Sequence, residues 1–376
     1  MITLTYSVAL SFLLLGTAIE SSLPLFKAYP QLEQKVSHTR LGDFPTALTP
    51  SENLSRELTC TILCKRDDCS GPLQSNGTRL FGGNKVRKLE FVLADAQAKG
   101  NKQILTFGSA GSNHALATSC YAQKLGIATR ALLGDQPVSW VVRRNLLLQA
   151  YYGTDLVHTT DRAEATILNR EELRKKNGSE PYVIPPGASV PLGAVGYINA
   201  VYELQEQCNM HEIEYLYVPS GSFGTVVGLL IGLQLIGAKI KVCAVAVEAE
   251  PILAPIRHLF EQTRDLLISL DSSFETIMWN DQQLEIYDSF VGEGYGAATA
   301  ETAEAIALFK SLQGLILEDT YSAKAAAALI SDARKGKIHG KKVIFLQTFY
   351  GEDCKELCDS VSYTELPKEF HLYFQS

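Results

Sequence analysis

"QILTFGSAGSNHALATSCYAQKLGIATRALLG" (Gln103–Gly134) reads as strand, loop, helix, strand. Gln103–Gly108 is an apolar run of strand length, Asn113–Gly126 has helical spacing and stops on glycine, and Ile127–Gly134 is a second buried strand. Two strands joined by a helix lie parallel, because a chain that reverses through a helix re-enters the sheet in its original direction. The loop between strand and helix then lies at the carboxyl end of a parallel strand, where open α/β sheets bind ligands.

The rhythm continues on both sides. Ser139–Gly153 reads as a helix, Asp155–Thr159 as a strand, Arg162–Gly178 as a helix and Tyr182–Gly187 as a short strand. A second series follows: helix Leu192–Gln207, strand Glu214–Gly221, a nearly all-apolar buried helix Gly224–Gly237 and strand Lys239–Glu250. Helices near Pro255–Leu267 and Thr302–Leu312 and a strand Lys342–Thr348 complete it. Asp271–Tyr287 breaks the rhythm and reads as irregular. The expectation is an α/β protein of two doubly wound parallel-sheet units facing each other across a cleft.

With 376 residues the chain exceeds one simple core. It is 46% hydrophobic and 20% charged, with a net charge of −7 and no long basic run, which argues against nucleic acid as a partner and for a soluble protein without a membrane partner. Cys60, Cys64 and Cys69 cluster, as do Cys354 and Cys358, but neither group has the spacing of a zinc site. Reduced thiols in the cytoplasm are the expectation, with no metal. "SVALSFLLLGTA" (Ser7–Ala18) has signal-peptide length, yet no Lys or Arg precedes it and "AIESS" is a poor cleavage site. An export signal, an N-terminal extension over residues 1–22 and a misassigned start all stay open on this reading.

"FGGNKVRKLEFVLADAQAKG" (Phe81–Gly100) carries the chemistry. Leu89, Val92, Leu93 and Ala96 share one helical face, so Lys85 stands at a helix N-terminus directly behind Asn84. That end of a helix is positive and unfavourable for a cation. It lowers a lysine pKa and frees the amine as a nucleophile able to form a Schiff base. Arg87 and Lys88 read as ordinary solvated charges, and "KRDD" (Lys65–Asp68), taken alone, as a solvated turn. "VPSGSFGTVVGL" (Val218–Leu229) runs from strand through a Gly/Ser/Thr loop into a buried helix. Such loops aim backbone N–H groups at an anion, and Ser220, Ser222 and Thr225 add hydroxyl donors. A nucleophilic lysine with a phosphate cradle points to pyridoxal 5'-phosphate.

The ordered set "LGDFPTAL", "KRDD", "GGNKVRKLE", "GSNHALA", "IPPGASVPLGAVGYINAVYEL", "SGSFGTVVGL", "GEGYG" and "DTYSAKA" spans roughly residues 23–350. It resembles the 1-aminocyclopropane-1-carboxylate deaminase and D-cysteine desulfhydrase family, pyridoxal-phosphate enzymes of the tryptophan synthase β-like fold (type II). The resemblance implies a larger cofactor domain from residues 23–87 and 199–376, a smaller α/β domain from 88–198, and a homodimer. It assigns Lys85 to the cofactor aldehyde and the proton at Cα. Ser112, Asn113 and His114 match the loop beside the ring that receives the substrate carboxylate. Ser220, Gly221, Ser222, Gly224 and Thr225 match the phosphate loop. Tyr295 and Tyr321 match two active-site tyrosines. Where the deaminases have glutamate after the second tyrosine, this chain has Ser322, and Ser322 or Thr348 is the expected neutral partner of the ring nitrogen. The family's two glycines after Thr348 are Phe349 and Tyr350 here.

The implied activity is a lyase or deaminase of amino-acid metabolism acting on a small amino acid. D-Cysteine desulfhydrase-like elimination to pyruvate, ammonia and sulfide comes first. 1-Aminocyclopropane-1-carboxylate deamination is the alternative, and a non-catalytic pyridoxal-phosphate binder is the reading from another class.

Overall fold

Ten strands in two sheets organise residues 22–375, which are those described by the computed structural model. The apolar run Ser7–Ala18 lies outside the described residues. In chain order the strands are β1 (Leu48–Pro50), β2 (Thr61–Arg66), β3 (Gln103–Ser109), β4 (Ala128–Gly134), β5 (Asp155–His158), β6 (Tyr182–Ile184), β7 (Tyr215–Ser220), β8 (Lys241–Ala246), β9 (Leu284–Tyr287) and β10 (Lys342–Gln347). The larger sheet has the order β1-β2-β10-β7-β8-β9 and is parallel except for β1, which pairs antiparallel with β2. The smaller sheet, β5-β4-β3-β6, is all parallel. The strand–helix–strand reading of residues 103–134 is therefore observed, with β3 and β4 in register from Gln103–Ala128 to Ser109–Gly134.

Helices cover both faces of the larger sheet, which is why its central strands are continuous apolar runs. On one face the helices Pro191–Gln207 and Gly224–Leu235 pack together, and the second is buried along nearly its whole length. On the other lies the alanine-rich helix Ser322–Arg334, seated against Tyr217, Cys243 and Phe345. The expected boundary at residues 198/199 falls inside Pro191–Gln207, whose Ala194, Val195 and Ile198 belong to the core of the larger sheet. The tail departs from the expected division too: Leu366, Phe370 and Tyr373 pack with Ala115, Leu133 and Leu146 beside the smaller sheet.

The lysine helix (Lys85–Ala98) joins the two units. It packs along Pro191–Gln207, and the approach is so close that a Cβ at Gly196 would stand 2.1 Å from the Arg87 carbonyl oxygen. Two expectations fail in this region. Arg87 and Lys88 are not solvated but buried, each 1% exposed, and Lys65 and Asp67 of the supposed solvated turn are equally buried. The Arg87 guanidinium meets both Asp67 and Glu203, Lys65 meets Glu203, and the Tyr197 hydroxyl donates to Asp67. Opposite charges that neutralise one another through hydrogen bonds are the condition under which such groups tolerate burial. The eight cysteines are free. Among the described residues no helix is long and apolar enough to cross a membrane, and no three His, Cys, Asp or Glu side chains are grouped to hold a metal ion.

Candidate active site

A cleft opens where β3, β7 and β10 end. Its lining includes Asn84, Lys85, Asn113, His114, Ser220, Gly221, Ser222, Thr225, Tyr321 and Thr348, all from the sequence reading, together with Glu318 and Phe349.

Lys85 is the first residue of its helix, behind Asn84. The turn ahead of it is clamped on three sides. Gly83 N–H donates to Asp67 O (3.0 Å), Ser70 Oγ donates to Gly83 O (3.0 Å) and Asn84 N–H donates to Thr348 O (3.2 Å). Gly83 has φ +97°, a left-handed conformation that favours glycine. The amine donates to Asn84 Oδ1 (3.1 Å) and lies 5.9 Å from the centre of the Tyr321 ring. Burial lowers its pKa to about 8, partly opposed by the nearby Glu318.

The loop after β7 leads into the twelve-residue helix Gly224–Leu235. Phe223, immediately before it, has φ +70°, a conformation costly for a side-chain-bearing residue and found most often at functional sites. Thr225 Oγ1 accepts from Asn84 Nδ2 (3.3 Å), linking this loop to the lysine turn. Ser220 Oγ is buried without a hydrogen-bond partner. Beneath the loop lies Lys88, whose amine donates to Gly187 O (3.0 Å) and Ser189 Oγ (3.3 Å); Ser189 Oγ in turn accepts from Gly224 N–H (3.2 Å). Neither of those acceptors is a carboxylate. Burial, and then the neighbouring Lys85, holds the Lys88 pKa well below its ordinary value. A buried amine, a free hydroxyl and a helix N-terminus close together form a donor set suited to a phosphate dianion, whose charge would favour the protonated amine.

On the opposite side, Ser112 caps the helix Asn113–Lys124 by accepting from Ala115 N–H (3.1 Å). Asn113 Oδ1 accepts from Asn145 Nδ2 (3.0 Å), so its amide presents the NH2 group to the cleft. Thr106 Oγ1 donates its proton to Ile184 O, which makes His114 Nε2 the donor in its 2.9 Å contact with Thr106 Oγ1. The His114 ring is neutral, its pKa pushed well down by burial and by Lys85 and Lys88, and its Nδ1 is a buried acceptor with no partner. Tyr295 and Tyr321 share a short hydroxyl–hydroxyl hydrogen bond, and Ser109 Oγ donates to Tyr295 (3.2 Å). Burial raises both phenols, Tyr295 to about 12 and Tyr321 well above its ordinary value, so both keep their protons at neutral pH.

Ser322 does not join this group. Its hydroxyl accepts from Glu318 N–H (2.9 Å) and it is fully buried in the first turn of its helix, outside the cleft lining. The carboxylate that does reach the cleft is Glu318, four residues earlier, which accepts from the backbone N–H groups of Thr320, Tyr321 and Ser322 (2.8–2.9 Å). Burial raises its pKa against those bonds. Sequence reasoning missed Glu318 and Lys88. Only Lys88 left a signal, the helical i+3 spacing that puts it on the face of Lys85.

Residues 39–348 match the family model described as pyridoxal-phosphate dependent enzyme. The chain belongs to that family. Among its pyridoxal-phosphate dependent relatives, a Pyrococcus horikoshii protein, provisionally named 1-aminocyclopropane-1-carboxylate deaminase, is 33% identical over 322 residues, 84% of this chain and 92% of that one. D-Cysteine desulfhydrase of Salmonella choleraesuis is 32% identical over 317 residues, 81% and 91% of the two chains. A crystal structure described as an ACC deaminase homologue superposes with a TM-score of 0.75 at 30% identity, covering 89% of this chain and 99% of that one. The fold is thus that of a type II pyridoxal-phosphate enzyme, and the cofactor is pyridoxal phosphate.

Proposed function

We propose that this pyridoxal-phosphate enzyme eliminates the β-substituent of a small amino acid, with D-cysteine and water giving pyruvate, ammonia and hydrogen sulfide. One observation carries the reading: the Lys85 amine, with its lowered pKa, stands in one cleft between a phosphate-suited loop and a protonated tyrosine pair.

Bound there, pyridoxal phosphate supplies an electron-withdrawing ring that acidifies the Cα–H bond of an attached amino acid. The side chains of Ser220, Ser222, Thr225 and Lys88, with the N-terminus of the Gly224–Leu235 helix, would hold its phosphate. Asn84, Asn113, Thr348 and Glu318, which line the same cleft, would hold the ring. Ser112 and the Asn113 amide donate to the substrate carboxylate. Lys85, uncharged in part at neutral pH, takes the proton from Cα. The Tyr295–Tyr321 pair, protonated at neutral pH, delivers a proton to the departing sulfur.

The second reading, deamination of 1-aminocyclopropane-1-carboxylate with water to a 2-oxo acid and ammonia, has Glu318 in its favour. A carboxylate at the cleft favours a protonated ring, the stronger electron sink. Against it, both Glu318 oxygens are occupied by backbone N–H groups. A non-catalytic binder has no use for a paired, desolvated tyrosine couple. We further infer a homodimer, from the resemblance alone, and a cytoplasmic location, from cysteines that are all free; light scattering and cell fractionation test these two points. The test of function is product release by the purified holoenzyme. Pyruvate and sulfide from D-cysteine, faster than 2-oxo acid from 1-aminocyclopropane-1-carboxylate, is the expected outcome, and the reverse order overturns the choice.

A further inference from the structure

Phe349 is a wall of the cleft and only 2% exposed. Its ring meets Trp140 edge-on, with centroids 6.0 Å apart and planes at 78°, and Trp140 is itself 46% exposed. Phe349 thus stands between the cleft and a surface side chain. The Arg144 guanidinium lies 5.1 Å from the Phe349 ring centre and 5.0 Å from that of Trp140. Arg144 is buried, and its Nη1 donates to Tyr350 O (3.0 Å) and Glu352 O (2.7 Å), fixing the backbone just after Phe349. An aromatic ring gripped by a desolvated guanidinium and a second aromatic is a stiff wall.

The wall is tied through its contacts to the elements that carry the loop read as the carboxylate site. The phosphate-suited loop comes from β7, whereas Trp140 and Arg144 belong to the helix Trp140–Tyr151 beside the smaller sheet. The segment leading into that helix carries Gln136, whose Oε1 accepts from Gly111 N–H (2.9 Å). Gly111 precedes Ser112 and Asn113, the loop read as the carboxylate site. Gln136 also lies against Gly296, next to Tyr295. Asn145, the neighbour of Arg144, orients Asn113.

We propose that Phe349 sets the size limit on the substrate's side chain, admitting groups as small as that of cysteine and excluding those with a bulky β-substituent. This rests on the reading of an amino-acid β-elimination. A hydrophobic wall discriminates by about 10–200-fold per methylene, so removing a whole ring should exceed that.

The experiment compares D-cysteine with S-benzyl-D-cysteine. Both release pyruvate and ammonia with water, the second leaving benzyl thiol in place of hydrogen sulfide. The quantity read is the ratio of kcat/KM for the large over the small substrate, taken within each holoenzyme, so a general loss of activity cancels. F349A should raise the ratio by on the order of 100-fold or more, and F349L, which keeps an apolar contact to Trp140 and Arg144, by less. An unchanged ratio in both variants overturns the proposal. Titration of the visible spectrum with D-alanine and D-phenylalanine reads the same limit as binding, and F349A should tighten D-phenylalanine relative to D-alanine. An unchanged binding ratio overturns the size limit independently of turnover. Wild-type protein that binds both amino acids selectively by size but releases no pyruvate refutes the elimination reading alone.

Discussion

At pH 7.5 an amine of pKa about 8, the value burial gives Lys85, is about one quarter uncharged. An ordinary lysine at 10.5 is about 0.1% uncharged at that pH. Condensation with an aldehyde uses the free base, so the structure assigns Lys85 a roughly 240-fold advantage in reactive fraction. The sign follows from burial: the charged form is disfavoured, the pKa falls, and the advantage is largest below pH 8 and shrinks to a few-fold near pH 10. The assay mixes apoprotein with pyridoxal phosphate between pH 6.5 and 9.5 and follows the visible absorbance of the bound cofactor. Nα-Acetyl-lysine in parallel removes the cofactor's own ionisations. The rate relative to that reference should be several hundred-fold at neutral pH, and the protein's curve should level off near pH 8. Glu318→Gln removes the carboxylate that raises the Lys85 pKa, so its plateau should begin at lower pH. A curve still rising through pH 9.5, or a neutral-pH advantage below about tenfold, refutes the argument from desolvation.

Thr225→Val deletes a hydroxyl beside the phosphate-suited loop with little change of shape; cofactor affinity in apoprotein titrations should fall about tenfold or more, the equivalent of about 1.5–3 kcal/mol, and unchanged affinity removes Thr225 from the site. Arg87→Met leaves Asp67 and Glu203 buried and under-neutralised, so urea denaturation should show a loss of about 3–5 kcal/mol; a loss below about 1 kcal/mol would mean that the network contributes little. Ser322→Ala removes a buried hydroxyl that accepts from the Glu318 N–H apart from the cleft. It should cost about 1–3 kcal/mol of stability by leaving a buried N–H without its acceptor, and leave the D-cysteine to 1-aminocyclopropane-1-carboxylate preference unmoved, whereas a shifted preference would return Ser322 to the ring.

The strands β3, β4, β7, β8 and β10 were legible because a parallel strand covered on both faces is a plain apolar run. β2 was not. Lys65 and Arg66 make it look solvated, and the carboxylate that neutralises buried Lys65, Glu203, lies 138 residues away. Arg87 was misread for the same reason, its partner Glu203 lying 116 residues on. Asp271–Tyr287 was read as irregular, and most of it is 3-10 turn or without regular structure, but its end forms β9, an edge strand too short to show a pattern. At the site, the residues of the Gly-rich loops were legible from local chemistry, since a turn before a helix N-terminus exposes donors whatever surrounds it. Ser322 was placed by its position in a motif, and that position could not show that its hydroxyl turns back to the Glu318 backbone. Lys88 and Glu318 look like surface charges in sequence, and only the packing of the helices around them brings Glu318 to the cleft and buries Lys88 beneath its loop.

The most direct test of the account is to reduce the purified, cofactor-loaded protein with borohydride and map the modified peptide by mass spectrometry. The cofactor should be fixed on Lys85. Lys88 lies three residues away in the same helix and is also desolvated, so it is a stringent internal control. Cofactor fixed on Lys88, on any other lysine, or on none would contradict the central claim.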